Sequence, residues 1–490
     1  MDYGMIISIG IYMAGMLLIG YIAYLRTSSL SDYMLGGRNL GPAVTAMSAG
    51  ASDMSGWLLM GLPGSMYAAG LSSGWIVVGL TAGAYLNWLF IAPRLRIFTE
   101  AANNSLTIPD FFHNRFKDAS SILKITSALV ILIFFTFYTS SGMVSGGKLF
   151  TTAFHMDYTL GVWLTASIVI LYTLFGGFLA VSWTDFVQGT IMFIALILVP
   201  IVTILNIGGI DRTFDEIHTV NPKLLEAFKG TTPIGIISLL AWGLGYFGQP
   251  HIIVRFMAIS SVKEIKSARR IGMGWMIFSI AGAMFTGLVG IAYFSIHHSP
   301  LGIKEAESVF ILLSKQLFPS LIAGFLLAAI LAAVMSTIAS QLLVTSSALT
   351  DDFYKAFIRR SASDRELVLA GRISVLIISA IALYLALNPS KTILELVGYA
   401  WAGFGAAFGP VVLLSLYWKR MTGTGALAGM IAGAATVILW EKLGIYQNVY
   451  EIIPGFAAGT LAILIFSLLT QKPSREIEKE FDAAVKILKQ

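Results

Sequence analysis

The chain has no cysteine, and only 12% of its 490 residues are charged. The first absence excludes disulfides, thiolate metal sites and cysteine nucleophiles. The second excludes an ordinary soluble domain, in which about 25% of residues are charged. Histidine is scarce too: His113, His155, His218, His251 and the pair His297 and His298 are scattered, and none has zinc-ligand spacing. The net charge of +6 points to no nucleic-acid partner, because Lys and Arg in a membrane protein mainly record topology.

What the chain has instead is apolar length. Hydrophobic residues make up 57% of it and the mean hydropathy is +0.80, the composition of an all-α, polytopic membrane protein. Apolar runs predict about thirteen transmembrane helices, at 5–24, 43–66, 73–92, 122–146, 159–181, 186–207, 233–250, 272–294, 318–347, 369–387, 393–417, 424–440 and 453–470. The first run is too long for a signal segment and lacks a basic flank, so it is expected to be a retained crossing. An odd count puts the termini on opposite sides. Of the 32 basic residues, 24 fall on one side, including Arg26, Arg38, the group from Arg255 to Arg270 and a short turn at Asp185 that adds none. By the positive-inside rule that side is cytoplasmic, with the N-terminus outside and the C-terminus inside. The tail after Gln471 reads as an amphipathic helix, solvated or lying among headgroups.

Two crossings carry residues that a plain span would not. Ser48 to Trp57 contains Asp53, three serines, Gly50 and Gly56 within one apolar run. A central Asp costs about 2.5–3.5 kcal/mol on insertion scales, and such residues face a cavity, an ion or a partner. Interior glycine weakens a helix by roughly 1 kcal/mol, so this helix is expected to break. A kinked helix with serines bonded back to its own backbone would carry the same residues. The second stretch, Ala241 to Pro250, holds three glycines, Trp242, Tyr246, Gln249 and Pro250 at the end of a run. Pro removes a backbone donor and interrupts the helix. Interrupted helices in matching positions point to a transporter of two inverted repeats with the site at the breaks. Crossings two to six form one five-helix unit and seven to eleven another, and an odd number of helices forces the units into opposite topology. Glycines placed only for tight packing would explain the small residues, but not Asp53, Trp242, Tyr246 and Gln249 among them.

The ninth run supplies hydroxyls. Ser336 and Thr337 are adjacent, and hard oxygen ligands of this kind, with freed carbonyls, suit an alkali cation that must also leave. Back-bonding to the preceding turn is the alternative use of such hydroxyls. Tyr138 in the fourth run, with Trp57, Trp242 and Tyr246, could cover a small apolar ring while keeping a polar tip. Gly142 to Leu149 nearly fits a nucleotide-binding loop. Leu149, however, replaces the magnesium-binding hydroxyl and no strand precedes it, so ATP is not expected as partner or energy source.

At these motifs the chain resembles the sodium/solute symporter family, and within it the members that carry L-proline. The matching stretches are LGGRNLGP at 35–42, SAGASDMSGWLLMGLPG at 48–64, GGFLAVSWTD at 176–185, WGLGYFGQPH at 242–251, LAAVMST at 331–337, YAWAGFGAAFGPVVL at 399–413 and YEIIPGF at 450–456. The resemblance implies a LeuT-type core of two inverted five-helix repeats, with sodium entry driving L-proline uptake across a bacterial-type inner (plasma) membrane. The units would be 1–42 (first helix and loop), 43–207 and 208–417 (the repeats), 418–470 (two peripheral helices) and 471–490 (tail). By the same resemblance, sodium would be held by main-chain oxygens of Ala51, Met54 and Ala333 and the hydroxyls of Ser336 and Thr337. Proline would lie among Asp53, Gly56, Trp57, Tyr138, Trp242, Tyr246, Pro250 and Gly324. Arg38 would stand at the cytoplasmic mouth and Asp185, in the short inner turn, on the sodium exit route. Some relatives have a second sodium site with further hydroxyls; here Ala339 takes one of those places, so one sodium per solute is expected. The same machine could carry another amino acid, a carboxylate or a sugar, or use protons. A channel or sensor is the reading from another class, and an enzyme is not indicated, since no nucleophile, base and orienting group come together.

Overall fold

The computed structural model describes residues 3–25, 34–175, 177–359, 361–389, 391–445 and 449–488. Arg26, one of the basic residues used for orientation, lies outside them. The described residues are helical, with no strand and one isolated backbone bridge between Leu40 and Ile259. Among them ten helices are long and apolar enough to cross a membrane, and two further apolar helices, Tyr158–Leu171 and Pro233–Gly248, are shorter. The expected number was about thirteen. The difference arises because Trp57–Ala101 runs on for 45 residues and takes in parts of two expected crossings, while Tyr158–Leu171 and the interrupted Pro233–Gly248 are too short to be included.

Both expected interruptions are present. The first broken helix begins at Pro42, where a missing donor does no harm. It ends at Asp53, and Met54 leaves helical geometry at φ −82°, ψ 70°. The chain rewinds from Trp57 as a π-turn to Gly61 and continues as Leu62–Ala69. Gly56 sits at the break because a Cβ there would lie 2.3 Å from Ser145 Oγ on a neighbouring helix. The second broken helix runs Pro233–Leu240, tightens into a 3-10 leg at Ala241–Gly248, opens at Gln249 (φ −81°, ψ 106°) and restarts as Pro250–Ala258. Its glycines admit neighbours: a Cβ on Gly245 would lie 1.8 Å from Trp401 Nε1.

Packing shows the two-fold relation of the units. In the first, the leading half of the broken helix packs on the fifth helix, Phe178–Ile207; in the second, the 3-10 leg packs on the fifth helix, Ile393–Tyr417. The exchange is reciprocal, for Trp75–Leu86 packs against the 3-10 leg and Ile265–Ile296 against the leading half Pro42–Asp53. The third helices, Ile122–Phe154 and Ser320–Ser347, each pack on the other unit's fifth helix and on one another. Tyr3–Tyr24 lies against Ser320–Ser347 from outside the core, and Gly423–Lys442 and Ile452–Leu469 pair with each other and with Ile393–Tyr417.

Two sequence expectations need correction. The turn between the fifth and sixth crossings falls at Gly177, the cap of Phe178–Ile207, and Asp185 lies two turns inside that helix, fully buried. The apolar run continues unbroken through the turn, so hydropathy does not mark it; only the glycines do. The tail helix Arg475–Leu488 does not lie free either. Ile477, Phe481 and Ala484 are buried, Phe481 meets Phe98 at 5.2 Å with the Arg115 guanidinium over its ring, and Lys117–Glu480 and Lys419–Asp482 pair at 2.6 Å. An apolar stripe on a short charged helix has found a protein surface to cover.

Candidate functional site at the two helix breaks

Ending the first broken helix at Asp53 strands its carbonyl and side chain at the centre of the bundle, and groups from separate elements come to meet them. The Asp53 carbonyl accepts from Tyr138 Oη at 3.3 Å and from Trp57 Nε1 at 3.3 Å. Its Oδ2 accepts from Tyr246 Oη at 2.5 Å, and its Oδ1 has no hydrogen-bond partner among the described residues. Asp53 is 2% exposed, and Tyr138 and Tyr246 are buried beside it. A buried carboxylate without a paired cation is costly. A cation brought to this place would offset that cost.

Trp242 forms the next layer. It stacks on Tyr450 (5.2 Å between ring centres, 19° between planes) and runs nearly parallel to Trp401 (6.5 Å, 26°), whose Nε1 donates to the Trp242 carbonyl at 2.8 Å. Tyr246 meets Trp401 edge-on at 5.0 Å. Gly56 and Trp57 border the first break and Pro250 restarts the helix after the second, so seven of the eight expected solute residues lie at or beside the breaks. The eighth does not. Gly324 packs against the first helix, where a Cβ would lie 2.6 Å from the Met5 Cα, so its small size serves helix packing outside the core.

On another side of the break the hydroxyl pair is in place. Ser336 Oγ donates to the Ala51 carbonyl at 2.8 Å and to Ala333 O at 3.1 Å, and Thr337 Oγ1 reaches Ala51 O at 3.5 Å. Hard, uncharged oxygens of Ala51, Ala333, Ser336 and Thr337 thus gather in a water-excluded spot, beside a Met54 whose dihedrals take its carbonyl off the helical ladder. That donor set fits a sodium ion as cargo.

A third cluster was only half legible in the sequence. Asp185 Oδ2 accepts from Ser48 Oγ at 2.7 Å and faces Arg255 Nη2 at 3.3 Å. Arg255 also donates to Ser48 Oγ (3.1 Å), Ser340 Oγ (2.6 Å) and the His251 carbonyl (2.6 Å), and all these side chains are fully buried. One guanidinium ties together the first broken helix, the first unit's fifth helix, the trailing half of the second broken helix and Ser320–Ser347. Counting Arg255 with a charged loop hid it, because it lies just beyond the apolar run; an Arg five residues past a helix-restarting proline was the available signal. Arg38 ties a neighbouring seam, donating to Asn104 Oδ1 (2.9 Å), Thr99 Oγ1 (3.3 Å), Met257 O (2.7 Å) and Ser105 O (2.7 Å). Burial lowers its pKa to about 10, helped by the nearby Arg96 guanidinium, and it stays charged at neutral pH. Alongside it, Leu40 exchanges backbone hydrogen bonds with Ala258 O (3.1 Å) and Ser260 N (3.0 Å).

A model of the sodium:solute symporter family matches residues 33–433. The chain belongs to that family. Among curated relatives, the osmoregulated proline transporter of Bacillus subtilis (strain 168) is 61% identical over 100% of this chain and 99% of its own length. The high-affinity proline transporter of the same organism is 64% identical over 95% of this chain and 98% of its own. The sodium/proline symporter of Escherichia coli (strain K12) is 55% identical over 98% and 96%. A solved structure of a sodium-coupled sialic acid symporter, in a substrate-bound outward-open state, superposes with a TM-score of 0.79 at 20% identity, covering 96% of this chain and 99% of that one. That likeness fixes the fold, a LeuT-type core of two inverted five-helix repeats. As a sodium:solute symporter, the chain is a multi-pass membrane transporter in which sodium travels with the solute.

Proposed function

We propose that this family member takes up L-proline with one sodium ion per proline, by alternating access, without chemical change to the solute. The observation that carries the reading is the meeting, at two unwound helices, of Asp53, whose carboxylate accepts from Tyr246 and whose carbonyl accepts from Tyr138, and a cluster of neutral oxygens around the Ala51 carbonyl. Relatives matching 95–100% of the chain and named for proline transport support the choice of solute. Sodium is assigned to the carbonyls of Ala51, Met54 and Ala333 and the hydroxyls of Ser336 and Thr337. The solute is assigned to Asp53, Gly56, Trp57, Tyr138, Trp242, Tyr246 and Pro250: its ammonium toward the carboxylate and freed carbonyls, its ring under the aromatics. The repeats are assigned to 43–207 and 208–417, flanked by 1–42, 418–470 and 471–490, and the protein to a bacterial inner membrane with the N-terminus outside and the C-terminus cytoplasmic.

Coupling follows from where the ion sits. Sodium between Ala51 and Ser336 joins the first broken helix to the third helix of the second unit, and so favours the state in which Asp53 and its neighbours form a pocket. Each ligand then raises the other's affinity by the same factor, in a typical system about 5- to 150-fold. The buried Asp185–Arg255 network and the Arg38 seam hold one end shut; parting them is the step that releases both ligands. Asp185, freed from Arg255 as that end opens, lies where a departing cation would find an anion.

Proteoliposomes with and without an imposed sodium gradient test the reading. Concentrative proline uptake driven by sodium is expected. Equal accumulation without the gradient, with a proton gradient alone, or of another solute in preference would overturn it.

A further inference from the structure

Beside the Asp53 cluster lies a cavity of about 20 Å³ whose walls include Asp53, Met54, Asn87, Trp88, Tyr246 and Met276. On the order of 10–15 Å³ suffices for one water. Besides Tyr246, two polar side chains line these mainly apolar walls. One is Asp53, whose Oδ2 is taken by Tyr246 and whose Oδ1 is unpartnered; the other is Asn87, with neither Oδ1 nor Nδ2 partnered among the described residues. Asn87 is 1% exposed and opens a π-turn, Asn87–Ile91, within a helix that is α-helical on either side. Such turns concentrate at functional sites, because one inserted residue re-aims the side chains around it. Leaving a buried amide or carboxylate oxygen unmet costs about 1–3 kcal/mol or more for each group, so a dry niche would be expensive to keep.

We propose that Asn87 is a positioning residue for Asp53, acting through one water held in this niche that accepts from Asn87 Nδ2 and donates to Asp53 Oδ1. A water needs a few polar partners, and the niche offers that number. An alkali ion needs a fuller shell of oxygens than Asp53, Asn87 and the Tyr246 hydroxyl provide. Held by Tyr246 on one oxygen and by the water on the other, the Asp53 carboxylate cannot swing, and the 51–54 backbone it belongs to is fixed with it. Asn87 thereby steadies the carbonyls of Ala51 and Met54 without touching the ion. The inference rests on the assignment of those carbonyls to sodium.

Sodium- and proline-activation curves in proteoliposomes, normalised to protein incorporated, test it with Asn87→Leu, Asn87→Ala and Asn87→Ser. Losing one buried hydrogen bond predicts that Asn87→Leu raises half-saturating sodium roughly tenfold. Half-saturating proline at saturating sodium should change far less, and Asn87→Ser, which keeps a hydroxyl for the water, should recover most of the sodium affinity relative to Asn87→Ala. A purely packing role would lower incorporation or maximal rate and leave the sodium curve in place; that result, or equal sodium curves for the Ala and Ser variants, overturns the proposal. A parent protein lacking sodium-activated proline uptake would overturn the functional reading itself, and this inference with it.

Discussion

Arg255 Nη2 stands 3.3 Å from Asp185 Oδ2, both side chains are fully buried, and they come from the second and first units of the fold. Removing one partner of a buried pair leaves an uncompensated charge, typically at about 3–5 kcal/mol. Arg255→Met alone and Asp185→Leu alone should therefore lower the melting temperature of the purified protein. The double variant should recover much of that stability, yet not the parental dependence of uptake on the sodium gradient, since the latch and its anion are both gone. Thermal melts with paired uptake assays check it. Additive losses in the double variant would dissolve the pairing.

Asp53→Asn keeps shape and removes charge. Sodium dependence of proline uptake should weaken far more than protein level, and an unchanged sodium activation curve would remove the residue from coupling. Tyr246→Phe deletes one hydrogen bond to a charged group, about 1.5–3 kcal/mol, and should raise half-saturating proline by roughly 10- to 150-fold.

Ser336→Ala with Thr337→Ala removes both hydroxyls from the Ala51 carbonyl while leaving the helix intact. The sodium concentration for half-maximal uptake should rise at least tenfold, about the effect of 1.4 kcal/mol, with proline affinity at saturating sodium recovered. A superposable sodium curve would place the ion elsewhere.

Gly56→Ala puts a methyl 2.3 Å from Ser145 Oγ and 2.6 Å from its Cβ. Overpacking of this kind costs about 1–3 kcal/mol and should open the seam at the break. Uptake should fall, and adding Ser145→Gly should restore part of it; a double variant no better than the single would mean that the clash is not the cause.

Gly324→Ala separates packing from binding. With Met5 Cα only 2.6 Å from the added methyl, stability should drop while half-saturating proline stays within about twofold, a shift under 0.5 kcal/mol. A large change in proline affinity with normal stability would return Gly324 to the solute site.

The sequence by itself determined the class of protein and the places where its helices fail. Apolar length requires helices, because lipid satisfies no backbone group, and Asp53 among glycines or Pro250 after Gln249 weakens a helix wherever it occurs. Ser336 and Thr337 were legible for the same reason: polar groups inside an apolar run stand out against it. The tertiary structure alone decided which interruptions face each other, and so that Tyr246 caps Asp53 across the two units while Gly324 turns to an outer helix. It also decided that Arg255 is a buried partner of Asp185 and not a loop charge, that Asp185 belongs to a helix and not a turn, and that the charged tail docks on Phe98. These are pairings between residues distant in the chain. Hydropathy is a property of neighbours along the chain, and no local pattern records which partner a buried charge will meet.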